Sequence, residues 1–338
     1  MSPSVRKQAI TAQDVATRAG VSRAVVSRAL SSNGSISPAT KEKVLRAAQE
    51  LGYQVNFLAQ GLNRQRSHLI GVIVARIGDP FRSSLLEGLL HEIQRRGYQA
   101  LVTEITGEQD LTATLRRFTQ FRVSGVIVTS GQPPQEIVNE CVSQQIPVVG
   151  INRPPDIPLV DFVCSDNHAG ARQAAEQLYR SGCRRFGWLN HAGSTWAGLQ
   201  RGEAFLQALQ HSGVDPRDIC RFDASVEGYG GGLQAAQTCE AVPDGIFCAN
   251  AQLACGFLDG MRLRGKEAPR DFHLIGFDNT PQSGQLSYRL TTLHQDVAEI
   301  ARRALTRLLE RAKNPLQPSR VEWVKVEMIH RQTSPQIG

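Results

Sequence analysis

The sequence predicts an α + α/β protein, with an N-terminal three-helix domain followed by an α/β core built in two halves. Three observations predict it. The formal net charge of +7 sits wholly on the first fifth of the chain, where residues 1–67 carry ten Lys/Arg against three Asp/Glu, while residues 68–338 carry 28 of each. The first fifty residues hold three apolar stripes at helical spacing, each opened by a hydroxyl residue. Beyond residue 68, short apolar runs alternate with amphipathic stretches, which is the signature of β-α repeats and a parallel sheet.

The elements follow in order. Thr11-Ala-Gln-Asp14 offers an N-cap hydroxyl with an acid three residues on, Val15, Ala16 and Ala19 form the stripe, and Gly20 stops the helix. Ser22 caps a second helix, Arg23–Leu30, whose Val25, Val26, Ala29 and Leu30 point inward and whose Arg23, Ala24, Ser27 and Arg28 point outward. Two short helices joined at a tight glycine turn form a helix-turn-helix. Ser37-Pro38 opens a third helix, ending at Leu51-Gly52, whose Val44, Leu45, Ala48 and Leu51 are expected to close the core.

In the α/β region, strand-like runs at 69–75, 100–104, 125–129 and 147–151 alternate with helical stretches at 82–96, 111–122 and 135–144. A second series has strands at 162–164, 186–189, 245–248 and 273–277, with helices at 169–181, 196–211, 228–239 and 253–264, and a last strand-like run covers Val321–Met328. Two halves imply a cleft, with pocket residues just beyond the carboxyl ends of the strands.

Composition excludes several classes. A chain of 338 residues that is 41% hydrophobic has the core for more than one domain. No window approaches about 18 uninterrupted apolar residues, and the first residues hold no apolar stretch of leader length, so a cytoplasmic protein without a membrane segment is expected. The seven cysteines form no Cys-x-x-Cys pair and no zinc-spaced set, so they read as buried thiols, with no metal or cofactor expected. Neither a G-x-S-x-G elbow, an H-E-x-x-H pair nor a phosphate-binding G-x-x-x-x-G-K-[ST] loop is present, which argues against an enzyme. A basic head on a neutral body suggests that the head meets a polyanion.

The stretch Ile10-Thr-Ala-Gln-Asp-Val-Ala-Thr-Arg-Ala-Gly-Val-Ser-Arg-Ala-Val-Val-Ser-Arg-Ala-Leu30 resembles the T-x-x-D-V-A-x-x-A-G-V-S-x-x-T-V-S-R-x-L signature of the LacI/GalR family of transcriptional regulators, with Val25 in place of Thr. The likeness continues through Ile36-Ser-Pro38, Asp79-Pro-Phe81, Asp166-Asn-His-Ala-Gly170 and Ile275-Gly-Phe-Asp-Asn279. It implies a helix-turn-helix domain at 1–55, a hinge helix at 56–67 and a periplasmic-binding-protein-like core at 68–338, with a first subdomain at 68–164 and 294–325 and a second at 165–293 and 326–338. It also implies a repressor that binds a palindromic double-stranded operator as a homodimer under the control of a small-molecule effector, a sugar or sugar acid.

By that resemblance Arg23, Ala24 and Arg28 face base edges in the major groove, while Thr11, Ser22 and Ser27 bond phosphates, although each hydroxyl also suits an ordinary helix cap. Asn56, Ala59 and Leu62 match the hinge segment, with Leu62 as a minor-groove wedge. For the effector, Asn250 and Asp278 match polar ligand positions, Phe81 an apolar one, and Asn152 stands where many members have Asp. Counted back from Gly202, the family's R-x-x-G arginine falls on Leu199, and the usual Asn-Asp pair becomes Asn250-Ala251. Loss of that guanidinium removes a bidentate donor, which leaves Trp196 and Gln295 as substitute contacts, along with Arg76, Arg153 and His191.

Overall fold

The computed structural model describes residues 10–30, 36–53, 67–129, 131–193 and 195–336. The chain divides into two compact units, 1–67 and 68–338.

The first unit contains α1 (Ala12–Ala19), α2 (Arg23–Ala29) and α3 (Pro38–Leu51). Helices this short do not persist alone in water, so caps and packing hold them. Thr11 and Asp14 form a full capping box, with the Thr11 N–H donating to Asp14 Oδ2 at 2.7 Å and the Asp14 N–H to Thr11 Oγ1 at 3.4 Å. Ser22 and Ser37 cap α2 and α3, Pro38 opens α3, and Gly20 and Gly52 end α1 and α3 with φ of 61° and 65°. Val15, Ala16, Ala19, Val26, Ala29, Val44, Ala47 and Ala48 form the core. Leu45, expected inside, is 46% exposed, and Ala47 is buried instead. Val44, Ala47, Ala48 and Leu51 stand at i, i+3, i+4 and i+7 and so share the inner face, while Leu45, one residue on from Val44, is turned about 100° away from it.

The second unit holds two six-stranded sheets. The first contains β1 (Leu69–Val74), β2 (Gln99–Glu104), β3 (Gly125–Val128), β4 (Val148–Ile151), β5 (Val160–Ser165) and β11 (Val321–Val324), in the order β11-β5-β4-β3-β1-β2. The second contains β6 (Phe186–His191), β7 (Ile219–Ala224), β8 (Gly245–Cys248), β9 (His273–Asp278), β10 (Thr291–Gln295) and β12 (Val326–Ile329), in the order β12-β10-β9-β8-β6-β7. All pairings are parallel except β10 with β12. Connecting helices are α4 (Pro80–Arg95), α5 (Glu108–Gln120), α6 (Gln135–Ser143), α7 (Asn167–Arg180), α8 (Trp196–His211), α9 (Gly228–Thr238), α10 (Ala251–Leu263) and α11 (Val297–Arg311). Aliphatic clusters cover both faces of the first sheet, and a larger aromatic one, including Phe205, Phe247 and Phe277, fills the second half.

The chain passes between the sheets at Asp166, Asp296 and Lys325. Asp166 and Asp296 each cap the helix that follows, accepting from Ala169 N and Glu299 N at 2.9 Å. The crossing expected before residue 294 therefore lies after Gln295, because Thr291–Gln295 is one strand of the second sheet. The run Val321–Met328 is two strands, split at Lys325, one in each sheet. Strand β7, Ile-Cys-Arg-Phe-Asp-Ala, is a half-exposed edge with no apolar run, so its sequence carries no strand pattern. Helix α11 packs on the first sheet, and its end is tied down by buried charge. Asp161 on β5 accepts from Arg311 Nη2 at 2.5 Å, Arg307 Nη2 at 3.3 Å and Arg320 N at 2.9 Å.

Candidate functional site

On α2, Arg23, Ala24, Ser27 and Arg28 are all exposed, while Val26 and Ala29 are buried. The spacing i, i+1, i+4, i+5 puts the four on one face, presenting two guanidinium groups, a methyl and a hydroxyl. Among the described residues neither Arg23 nor Arg28 has a carboxylate within ion-pair distance, whereas Arg18 pairs with Glu50 at 2.6 Å. Thr11 and Ser22 sit at the helix starts as caps, with Ser22 Oγ accepting from Val25 N at 3.4 Å. Asn56, Ala59 and Leu62 lie outside the described residues.

The second unit contains a 470 Å³ cavity at the carboxyl ends of its strands. Arg76, Asp79, Phe81 and Arg82 follow β1, Thr129 follows β3, and Asn152 and Arg153 follow β4. From the other half come Asn190 and His191 on β6, Arg201 on α8, Glu227 before α9, Asn250 after β8 and Asp278 at the end of β9. Three of these non-glycine residues adopt left-handed backbone, Arg76 and Asn152 at φ 51° and Asp278 at φ 90°. Such strain gathers where side chains must converge on a site.

A hydrogen-bond chain joins the two halves. Gln295, 1% exposed, donates from Nε2 to Asp278 Oδ1 at 2.6 Å. Its Oε1 accepts from Ser165 Oγ at 2.5 Å and Asn152 Nδ2 at 3.3 Å, while Asn152 Oδ1 accepts from Ser165 N at 2.8 Å. Arg201 donates to Asn167 Oδ1 at 2.8 Å, Ala249 O at 2.7 Å and Asp278 Oδ1 at 3.3 Å, and its guanidinium lies 3.5 Å over the Phe277 ring. Burial pushes the Asp278 carboxyl up to about 6, with Asp79 adding to the effect and Arg201 opposing it. Arg76 and Glu227 form an ion pair from opposite halves.

Phe81, Asn152, Asn250 and Asp278 thus line one cavity. Gln295 is a buried brace behind Asp278 and Asn152. Trp196 is not among the lining residues; it packs against the apolar cluster of the first sheet and so bridges the halves. Asn250 also caps α10, accepting from Leu253 N at 2.9 Å, and Ala251 is fully buried at the start of that helix.

The expected loss of the motif arginine is corrected by the structure. Leu199 is 59% exposed and faces away from the cavity, whereas Arg201 lines it. Gly202 is glycine for another reason, since a Cβ there would lie 2.7 Å from the Trp188 ring. The R-x-x-G pattern starts at Arg201 and has Ala204 in the glycine position, followed by the buried Phe205. Nothing in the R-x-x-G motif marks that shift of register, because glycine stands at 202 and alanine at 204, and Arg82 carries no signal either.

An exposed basic helix-turn-helix face and a two-sheet receptor with a polar cleft define a ligand-responsive DNA-binding regulator. Residues 11–56 match the model of bacterial regulatory proteins of the lacI family, and residues 175–334 the periplasmic binding protein-like domain. The chain is 30% identical to the HTH-type transcriptional repressor CytR of Escherichia coli K12, over 96% of each chain. It is also 30% identical to the HTH-type transcriptional regulator DegA of Bacillus subtilis, covering 86% of this chain and 88% of that one. The fold superposes on a Lac repressor dimer bound to operator and the anti-inducer ONPF with a TM-score of 0.86 at 23% identity, covering 97% of this chain and 100% of that one. It superposes on a regulator from Enterococcus faecium with bound ribose at 0.72 and 23% identity, covering 80% of this chain and 100% of the other. The chain belongs to the LacI family of bacterial regulatory proteins. Among the described residues no helix is long and apolar enough to cross a membrane.

Proposed function

We propose that the chain is a cytoplasmic, non-catalytic transcriptional repressor that binds a palindromic operator as a homodimer and releases or gains it when a small metabolite enters the cleft. The observation that carries this reading is the polar chain Asn152–Gln295–Asp278–Arg201, which ties a ligand cavity to both halves of a core joined by three crossings. A ligand that bonds Asp278 and Arg201 competes with those internal bonds and so shifts the balance between closed and open halves. Arg23 and Arg28 read base edges, with Ala24 against a thymine methyl. Thr11, Ser22 and Ser27 set register on phosphates. Asn56, Ala59 and Leu62 are assigned to the minor groove by family likeness. Phe81, Asn152, Asn250, Asp278 and Arg201 hold the effector, and Gln295 positions two of them.

The test is binding of the purified protein to DNA flanking its own gene, at several salt concentrations and with a panel of metabolites. Sequence-specific, salt-sensitive binding altered by one compound is the expected result. Absence of specific binding refutes the proposal.

A further inference from the structure

We propose that the effector is anionic, with its carboxylate or phosphate group seated between Arg82 and Arg153 and its hydroxyl-bearing end against Asp278 and Asn250. This rests on the cleft being the effector site.

The walls of the cavity carry opposite charge balance. The first-half wall presents Arg76, Arg82 and Arg153 against the single carboxylate of Asp79, and the second-half wall Arg201 against Glu227 and Asp278. Two of the four arginines are already neutralised, Arg76 by Glu227 and Arg201 by Asp278. Asp79 is engaged as the cap of α4, where Oδ1 accepts from Arg82 N at 3.0 Å. Arg82 and Arg153 have no carboxylate within ion-pair distance among the described residues.

Both are held in place for a guest. Arg82 Nη1 donates to Ala75 O and Arg153 Nη2 to Thr129 O, each at 3.0 Å, so strand-end carbonyls of β1 and β3 anchor one arm of each fork and leave the rest uncommitted. Arg153 Nε is buried without any hydrogen-bond partner, which a native site rarely tolerates unless something else completes it. Burial pushes the Arg153 guanidinium down to about 10, with Arg82 and Arg76 adding repulsion. Burial likewise lowers Arg82, with Arg76 adding to it and the charges of Asp79 and Asp278 opposing it. A neutral hydroxyl would satisfy a donor but leave that repulsion standing, whereas a carboxylate or phosphate does both through charge-assisted bonds. On the facing wall Asp278 is paired with Arg201 and Glu227 with Arg76, so that wall offers no unpaired cation, and with Asn190 and Asn250 it suits hydroxyl groups; the ligand is therefore charged at one end only.

The test is titration calorimetry of the full-length protein at constant ionic strength with inorganic phosphate, gluconate, glucose 6-phosphate and glucose, repeated with Arg82→Gln, Arg153→Gln and the charge-retaining Arg82→Lys. Inorganic phosphate should bind the wild type and weaken at least tenfold in each Gln variant, with Arg82→Lys largely restoring it. At least one sugar anion should bind tenfold or more tighter than glucose. Preference for gluconate identifies a sugar acid, and preference for glucose 6-phosphate a phosphate ester. Glucose binding as well as either anion, unchanged in the Gln variants, overturns the anion seat and leaves the cleft as effector site. Failure of every probe, phosphate included, also overturns it. The cleft reading itself then falls only if no metabolite alters operator binding.

Discussion

Asp278→Asn should make the ligand-free protein more stable at neutral pH and at the same time impair it. In the folded chain Asp278 is nearly enclosed and titrates at about 6, against an ordinary value of 3.8. Holding it ionised there costs about 3 kcal/mol relative to water, the balance after Arg201 and Gln295 have helped. Asparagine keeps an Oδ1 acceptor for Gln295 Nε2 and Arg201 and has nothing to ionise. The sign follows from proton counting. Between pH 4 and 6, roughly, the folded chain holds a proton that the unfolded chain has lost, so wild-type stability falls as pH rises through that window. The advantage of Asp278→Asn should therefore be near zero at about pH 4 and reach its full size above about pH 6, with 3 kcal/mol as the upper bound. At roughly 2–4 °C per kcal/mol for a domain of this size, that bound corresponds to a rise of about 6–12 °C in the core transition at pH 7.5. Thermal melts of both proteins across that pH range provide the assay. A variant that melts lower than wild type at pH 7.5, or a difference that does not change with pH, would refute the reasoning, because the Arg201 pair would then outweigh the desolvation of the carboxylate.

Arg28→Ala should weaken operator binding by about 1–3 kcal/mol, roughly 5- to 150-fold, with melting unchanged because the side chain is exposed; anisotropy titration at fixed salt checks it. Arg201→Met should lower effector affinity by at least about 100-fold, while Leu199→Ala, altering an exposed side chain, leaves it unchanged in the same calorimetric titration. Asp161→Ala strands Arg311, which is nearly inaccessible and has no other carboxylate partner among the described residues, and should destabilise the core by about 3–5 kcal/mol in urea unfolding.

The helical head was legible almost to the residue because its boundaries are set by local chemistry. Thr11, Ser22 and Ser37 cap, Pro38 starts, and Gly20 and Gly52 stop, each through bonds within four residues. Leu45 lies outside because the inner face follows the phase Val44, Ala47, Ala48, Leu51, and a large apolar side chain beside that face does not by itself shift it. Buried parallel strands announced themselves as apolar runs, but β7, at an exposed edge, did not. The division of Val321–Ile329 between two sheets depends on which partner each half meets, which no local pattern encodes. The cavity was legible at Asn152, Asn250 and Asp278, where strand ends coincide with motif positions. Arg201 was hidden by a glycine retained for the Trp188 ring, and the unpaired state of Arg82 and Arg153 could be seen only once the carboxylates around them had been assigned partners.

The most direct test of the account is the affinity of the full-length protein for its operator, measured with and without the cleft ligand, in wild type and in Arg201→Met. The ligand should change wild-type affinity at least tenfold and leave the variant at its ligand-free value. An equal ligand effect in both proteins, or none in the wild type, would contradict the claim that this cavity controls the DNA-reading helix.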